Sequence, residues 1–354
     1  MRLRLLLAYV GTRYHGWQIQ GADLARHTVQ GVLEAALSRL AGAEVRAFGS
    51  GRTDAGVHAE GQVVHCDIPD DRAGRIADWR HALNALLPDD IQVLEARQAA
   101  DDFHARIHAL DKTYRYCFWQ ERGFVPPRLR PFVWRCGPLD VDAMREAAAL
   151  LVGTHDFAAF ANAGTEVAGT VRTLTAIELE EAAGEATWPP CLPLLVMTVT
   201  GTGFLKQMVR NMAGLLAEVG RGKVTAAEVE GLLAAGRRSA LPSATAPAGG
   251  LTLLRVRYGK EGTMKAGLSF AQALGRARKG ERMTRPSWGE RFFAIVDGRL
   301  LAGAPLGESS FMDMHAWTPG AVDRDACDWR PYRRTEYDPW EGCELPQGPG
   351  RQRR

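Results

Sequence analysis

At 354 residues the chain is longer than one hydrophobic core ordinarily organises, so two domains with an appendage are expected. Apolar residues at 46% and charged residues at 24% sit in the range of folded globular proteins and exclude disorder throughout. No stretch approaches the roughly 20 apolar residues needed to cross a bilayer, and a net charge of +3 permits a nucleic-acid partner without implying one.

Residues 3–10 predict a first strand, and Arg4 inside that short apolar run argues against a signal peptide. From Thr28 onward Val29, Val32, Leu33, Ala36, Leu37 and Leu40 share one helical face that ends near Gly42. Strands are predicted over 44–48 and 62–68, separated by a glycine-rich loop; in the second, Val64, Cys66 and Ile68 alternate with polar neighbours. A helix over 76–87 stops at Pro88, and 91–97 is again strand, which gives the order β-α-β-β-α-β.

Residues 112–119 open the same order a second time. A helix over 140–151 is capped by Asp140, strands follow at 170–180 and 194–200, and a long helix over 204–219 carries Phe204, Met208, Met212, Leu215 and Val219. A short helix starts at the capping box formed by Thr225 and Glu228, and a strand over 251–258 closes the set. Two split β-α-β units predict an α+β protein with two ferredoxin-like domains, residues 1–109 and 110–258.

Residues 259–354 form a C-terminal extension of different composition, with Trp288, Trp317, Trp329 and Trp340 set among prolines, glycines and charges. Strands at 291–296 and 299–302 about Asp297 and Gly298 predict a hairpin with a type I′ turn. The chain ends on a basic run containing Arg351, Arg353 and Arg354. The six cysteines, Cys66, Cys117, Cys136, Cys191, Cys327 and Cys343, make no C-x-x-C pair and lack a histidine at metal-ligand spacing. Neither a zinc site nor a disulfide framework is expected, and a reducing cytoplasm is the natural compartment.

The segment suited to chemistry is the loop 49–59, Gly49-Ser-Gly-Arg-Thr-Asp-Ala-Gly-Val-His-Ala59. Its glycines, Gly49, Gly51 and Gly56, admit backbone shapes that can hold Asp54 out toward a ligand. A loop of this kind also suits a tight turn in which Asp54 is only an Asx-type cap. The Walker pattern of a phosphate cradle, with its lysine, is absent.

Residues 51–59 resemble the active-site signature of the tRNA pseudouridine synthase I family. Six further segments fall in that family's order: Tyr14-His-Gly-Trp-Gln-Ile-Gln20, Phe103-His-Ala-Arg106, Lys112-Thr-Tyr-Arg-Tyr116, Gly153-Thr-His-Asp-Phe157, Gly203-Phe-Leu-Lys-Gln-Met-Val-Arg210 and Pro247-Ala-Gly-Gly-Leu251. The resemblance spans roughly residues 3–258 and leaves the extension without a counterpart. It implies two ferredoxin-like domains sharing an extended mixed sheet with a central cleft, and a homodimer that acts on tRNA. The implied reaction is isomerisation of uridine to pseudouridine at positions 38, 39 and 40 of the anticodon stem-loop, with no cofactor and no metal.

The same resemblance assigns Asp54 as the catalytic carboxylate, Arg210 as its partner and Tyr114 as the ring against an extruded base. Arg52 is expected to hold phosphate or to help extrude the nucleotide. Lys206, read as one helical turn before Arg210, and Arg172 are further candidates for the RNA backbone, as are Arg13, His58, Lys112 and Arg115. Trp17 and Phe103 are expected in the core. Two rival readings are an RNA-binding protein that lacks the reaction and a carboxylate-dependent N-glycosidase that releases free base.

Overall fold

The computed structural model describes residues 1–162, 169–181, 193–236 and 238–259 and, beyond them, five short strands. The chain divides into two compact units, Met1–Gly259 and Lys260–Arg354. The first is α+β, as its alternating patterns require.

The first half of this unit begins with β1 (Arg2–Tyr9), in which every second residue is buried; Leu3, Leu5 and Leu7 are at most 2% exposed. Burying each such side chain contributes about 1.5–3 kcal/mol. Helix α1 (Val29–Ala41) turns Val29, Leu33 and Leu37 inward. The Thr28 hydroxyl caps its start by accepting the Gly31 N–H at 3.2 Å, and Gly42 ends it at φ 65°, a left-handed turn that suits glycine. Next come β2 (Ala47–Gly49), β3 (His58–Asp67), α2 (Asp70–Ala73), α3 (Trp79–Asn84) and β4 (Ile91–Gln98).

The second half contains β5 (Ala109–Trp119), β6 (Trp134–Arg135), α4 (Val141–Leu151), β7 (Gly153–Asp156), β8 (Val171–Glu181) and β9 (Leu194–Gly201). It ends with α5 (Met208–Gly220), α6 (Ala226–Ala235) and β10 (Leu251–Tyr258). All ten strands lie in one mixed sheet, ordered β4-β1-β3-β10-β5-β9-β8-β7, with β2 on β3 and β6 on β5.

The join in the middle of this sheet positions the site. Strand β3 pairs with β10 in parallel only through His58 and Ala59, opposite Thr252 and Leu253. Its far end, from Val64 to Cys66, pairs with β2 instead. β3 therefore forks away from β10, and the loop between β2 and β3 starts in that fork.

Several predicted boundaries differ from the structure, three of them markedly. The long helix starts at Met208, not Phe204, because Gln207 adopts a left-handed conformation at φ 61° that no helix can include. Lys206 consequently precedes the helix and is not one helical turn before Arg210. The helix expected over 76–87 is regular only over Trp79–Asn84, capped by the Asp78 carboxylate. The strand expected over 44–48 shrinks to Ala47–Gly49, where the Glu34 carboxylate accepts the Ala47 N–H at 2.9 Å.

The second unit, taken by itself, has β11 (Met283–Thr284), β12 (Phe292–Val296), β13 (Arg299–Pro305), β14 (Met312–Ala316) and β15 (Arg330–Pro331). These form an antiparallel sheet ordered β14-β13-β12-β11-β15. The expected hairpin strands pair with Val296 opposite Arg299. The Asp297-Gly298 turn, the four tryptophans and the basic end lie outside the described residues.

Candidate active site

The loop that follows β2 is tied down along its length. The Ser50 N–H bonds Val63 O at 2.8 Å, and the Ser50 hydroxyl donates to Gln62 Oε1 at 2.6 Å. The Gln62 amide in turn holds Gly51 O at 2.9 Å. Thr53 is gripped twice: its hydroxyl meets the Tyr9 hydroxyl at 2.8 Å and its carbonyl accepts the Trp17 N–H at 3.0 Å. Gly56, at φ 81°, turns the chain back so that its N–H reaches Tyr14 O and the Val57 N–H closes on Asp54 O. Asp54 is thus held at the tip of a restrained turn, its side chain 27% exposed.

Helix α5 brings Arg210 to this tip. Its Nη1 lies 3.3 Å from Asp54 Oδ2, while its Nε donates to Ala246 O at 2.7 Å. The second bond aims the guanidinium, and the side chain is 13% exposed. An ion pair so largely withdrawn from water is screened less than a surface pair.

Tyr114, on β5, is 7% exposed, and its ring meets Phe204 edge-on with centroids 5.0 Å apart. Burial pushes its phenol well above the ordinary range, helped by neighbouring Tyr9 and by the charge of Asp54. The hydroxyl therefore stays protonated and can donate. Tyr9, pushed up to about 12 by burial, is likewise neutral. Tyr116 serves the core; its hydroxyl bonds Pro247 O at 2.8 Å and its ring lies 5.0 Å from Phe118.

The remaining cations separate by environment. Arg52 and Lys206 are exposed, and neither has an ion-pair partner among the described residues. Arg172 is half-buried on β8 and folds back onto the carbonyls of Gly169 and Val171, beside Gly203. Arg13 is paired with Asp90, and Arg115 with Glu60. His58 is buried and structural. Its Nδ1 accepts the Gly11 N–H at 3.1 Å, so its Nε2 carries the proton and donates to Pro131 O at 2.9 Å.

Lys112 is no surface cation either: its Nζ donates to Ser50 O at 2.6 Å beneath the loop. Burial pushes its ammonium down to about 8, with the charge of Arg106 adding to the effect. The supports given by Tyr9, Gln62 and the Ala246 carbonyl were not marked by any motif. Among the described residues no group of three or more His, Cys, Asp or Glu side chains is disposed to hold a metal ion, and no helix is long and apolar enough to cross a membrane.

A carboxylate on a braced loop, faced by a guanidinium and a protonated phenol, can act on a polar substrate as base or nucleophile while the cation steadies it. The profile of a family described as tRNA pseudouridine synthase matches residues 6–106 and 147–259, which include Asp54 and Arg210, with Tyr114 between the two matched stretches. The chain belongs to that family, a family of isomerases. It is 52% identical over 289 residues to tRNA pseudouridine synthase A of Nitratidesulfovibrio vulgaris strain Hildenborough, covering 73% of this chain and 96% of the relative. For the protein of that name from Solidesulfovibrio magneticus the identity is 53% over 266 residues, covering 74% and 92%. For the one from Brevibacillus brevis it is 44% over 261 residues, covering 73% and 99%.

Proposed function

We propose that the chain isomerises uridine to pseudouridine in the anticodon stem-loop of tRNA, at positions 38, 39 and 40, with Asp54 as the catalytic carboxylate. The observation that carries the reading is the Asp54–Arg210 pair at 3.3 Å, contributed by two segments that both lie in the matched family regions. The reaction breaks the C1′–N1 bond, rotates the uracil and joins C1′ to C5; N1 gains a proton and C5 loses one. Asp54 attacks C1′, adds to C6 or removes the C2′ proton, and it is the catalytic carboxylate in each of the three routes. Arg210 holds the carboxylate aimed. Tyr114 supplies a ring that stacks against the extruded base and a hydroxyl for proton traffic.

Arg52 and Lys206, exposed beside these groups, contact RNA phosphates, and Arg172 supports the Phe204 segment at their edge. The division into domains 1–109 and 110–258, a homodimer and a cytoplasmic location belong to the same proposal. The experiment incubates the purified full chain with unmodified tRNA and maps pseudouridine by carbodiimide treatment and primer extension. Stops at 38, 39 or 40 are expected with the wild-type chain and none with Asp54→Asn, which removes the charge at nearly constant volume. Free uracil without pseudouridine overturns the reading in favour of base release, and turnover by Asp54→Asn removes Asp54 from its role.

A further inference from the structure

Most contacts that restrain the loop come from its own half of the unit: Tyr9, Tyr14, Trp17, Gln62 and Val63. Lys112 reaches it from the other half. It sits on β5 two residues before Tyr114, so the two side chains project from the same face of the strand. Its Nζ lies 2.6 Å from Ser50 O, and among the described residues no carboxylate comes within ion-pair distance of it. A half-buried cation compensated by a carbonyl is costly. Gly51 leaves the room it needs, for a Cβ there would stand 2.8 Å from Nζ.

We propose that Lys112 is a positioning residue: by holding the Ser50 carbonyl it sets the Asp54 loop against Tyr114, so that carboxylate and phenol meet one substrate in fixed register. The inference rests on the pseudouridine synthase reading given above. Lys112 touches no reacting atom; it acts through the loop. Strand β5 therefore carries both the ring that meets the base and the strut that aligns the carboxylate with it.

The contact can be broken from either side. Lys112→Met removes the ammonium and keeps the stem. Gly51→Ala keeps the ammonium and displaces it; Gly51 does not use a left-handed conformation, so alanine imposes no backbone strain there. Each single variant should lower the single-turnover rate at saturating enzyme by about ten- to a hundredfold, the scale of a small misplacement, with tRNA affinity changed by no more than about threefold. If both act through one contact, the double variant should be no slower than the slower single variant.

Multiplying losses in the double variant, or unchanged rates in both single variants, overturn the inference. So does weakened tRNA binding with a shallower salt dependence and a normal rate, which makes Lys112 a phosphate contact. Should Lys112→Met fail to fold, Gly51→Ala decides alone, a normal rate overturning the inference. A wild-type chain that forms no pseudouridine overturns the functional reading and this inference together, whereas an active wild type beside unaffected variants overturns this inference only.

Discussion

Replacing Arg210 by lysine keeps the charge and removes the geometry. Arg210 uses two nitrogens at once, Nε on Ala246 O at 2.7 Å and Nη1 on Asp54 Oδ2 at 3.3 Å. Lysine ends in a single nitrogen and serves one of these partners, so one charge-assisted hydrogen bond is lost, worth about 1.5–3 kcal/mol. Because Asp54 remains 27% exposed, a carboxylate left behind still reaches water. The stability loss accordingly falls short of the about 3–5 kcal/mol seen when a fully buried pair is broken. Expressed in the chemical step, at about 1.36 kcal/mol per decade, 1.5–3 kcal/mol is roughly a ten- to hundredfold slower rate. Single-turnover formation of pseudouridine at saturating Arg210→Lys enzyme measures it, with tRNA affinity determined alongside. A near-normal rate would refute the two-point aiming of the guanidinium.

Tyr114→Phe keeps the ring against Phe204 and deletes the hydroxyl, so tRNA affinity should hold while single-turnover chemistry slows; weaker binding at an unchanged rate contradicts that division. Gly250→Ala places a Cβ 2.6 Å from the Tyr116 ring, and overpacking there should cost about 1–3 kcal/mol of stability in denaturant titration, with a loss below 0.5 kcal/mol counting against the packing. His65 is 3% exposed and its pKa is pushed down to about 4 by burial and by nearby His104. Its folded value lies below its unfolded one, so its contribution is complete above about pH 6.5 and declines as pH falls toward 4, by up to about 3 kcal/mol. His65→Gln should flatten the acid side of the stability profile, and an identical profile would show that another group dominates. A chain ending after Lys260 should fold and retain the chemical step, because relatives are matched over 92–99% of their length by 73–77% of this chain; a folded truncation with no turnover places part of the chemistry in the extension.

Local signals foretold the elements whose causes are local. The Thr28 and Asp140 caps, the Thr225–Glu228 box and the alternation of β1 each depend on neighbours within a few residues, and each is present. What long-range partners decide was less legible. β3 starts at His58, ahead of its expected alternating run, because its first residues pair with β10, about two hundred residues later. Strand β7 is short and forms against β8, so nothing in its own composition marks it. At the site, Asp54, Arg210 and Tyr114 stood out by motif, whereas Lys112, which opens the motif that carries Tyr114, was read as a candidate for the RNA backbone, since its role under the loop depends on where the Ser50 carbonyl ends up.

The two-residue union of β3 with β10 also bears on how the chain comes into being. Asp54 leaves the ribosome early, but β10, which closes the sheet beside it, ends at Tyr258. A nascent chain stopped short of β10 presents the first residues of β3 with one flank unpaired and the Asp54 turn without its neighbours on β5 and α5, an opening for edge pairing with other chains. Domains form in order of synthesis, and here the Asp54 turn waits for the last strand of its unit. The segment from Lys260 to Arg354 follows. While it is still being translated, β10 has time to dock and cover that flank before the chain is released.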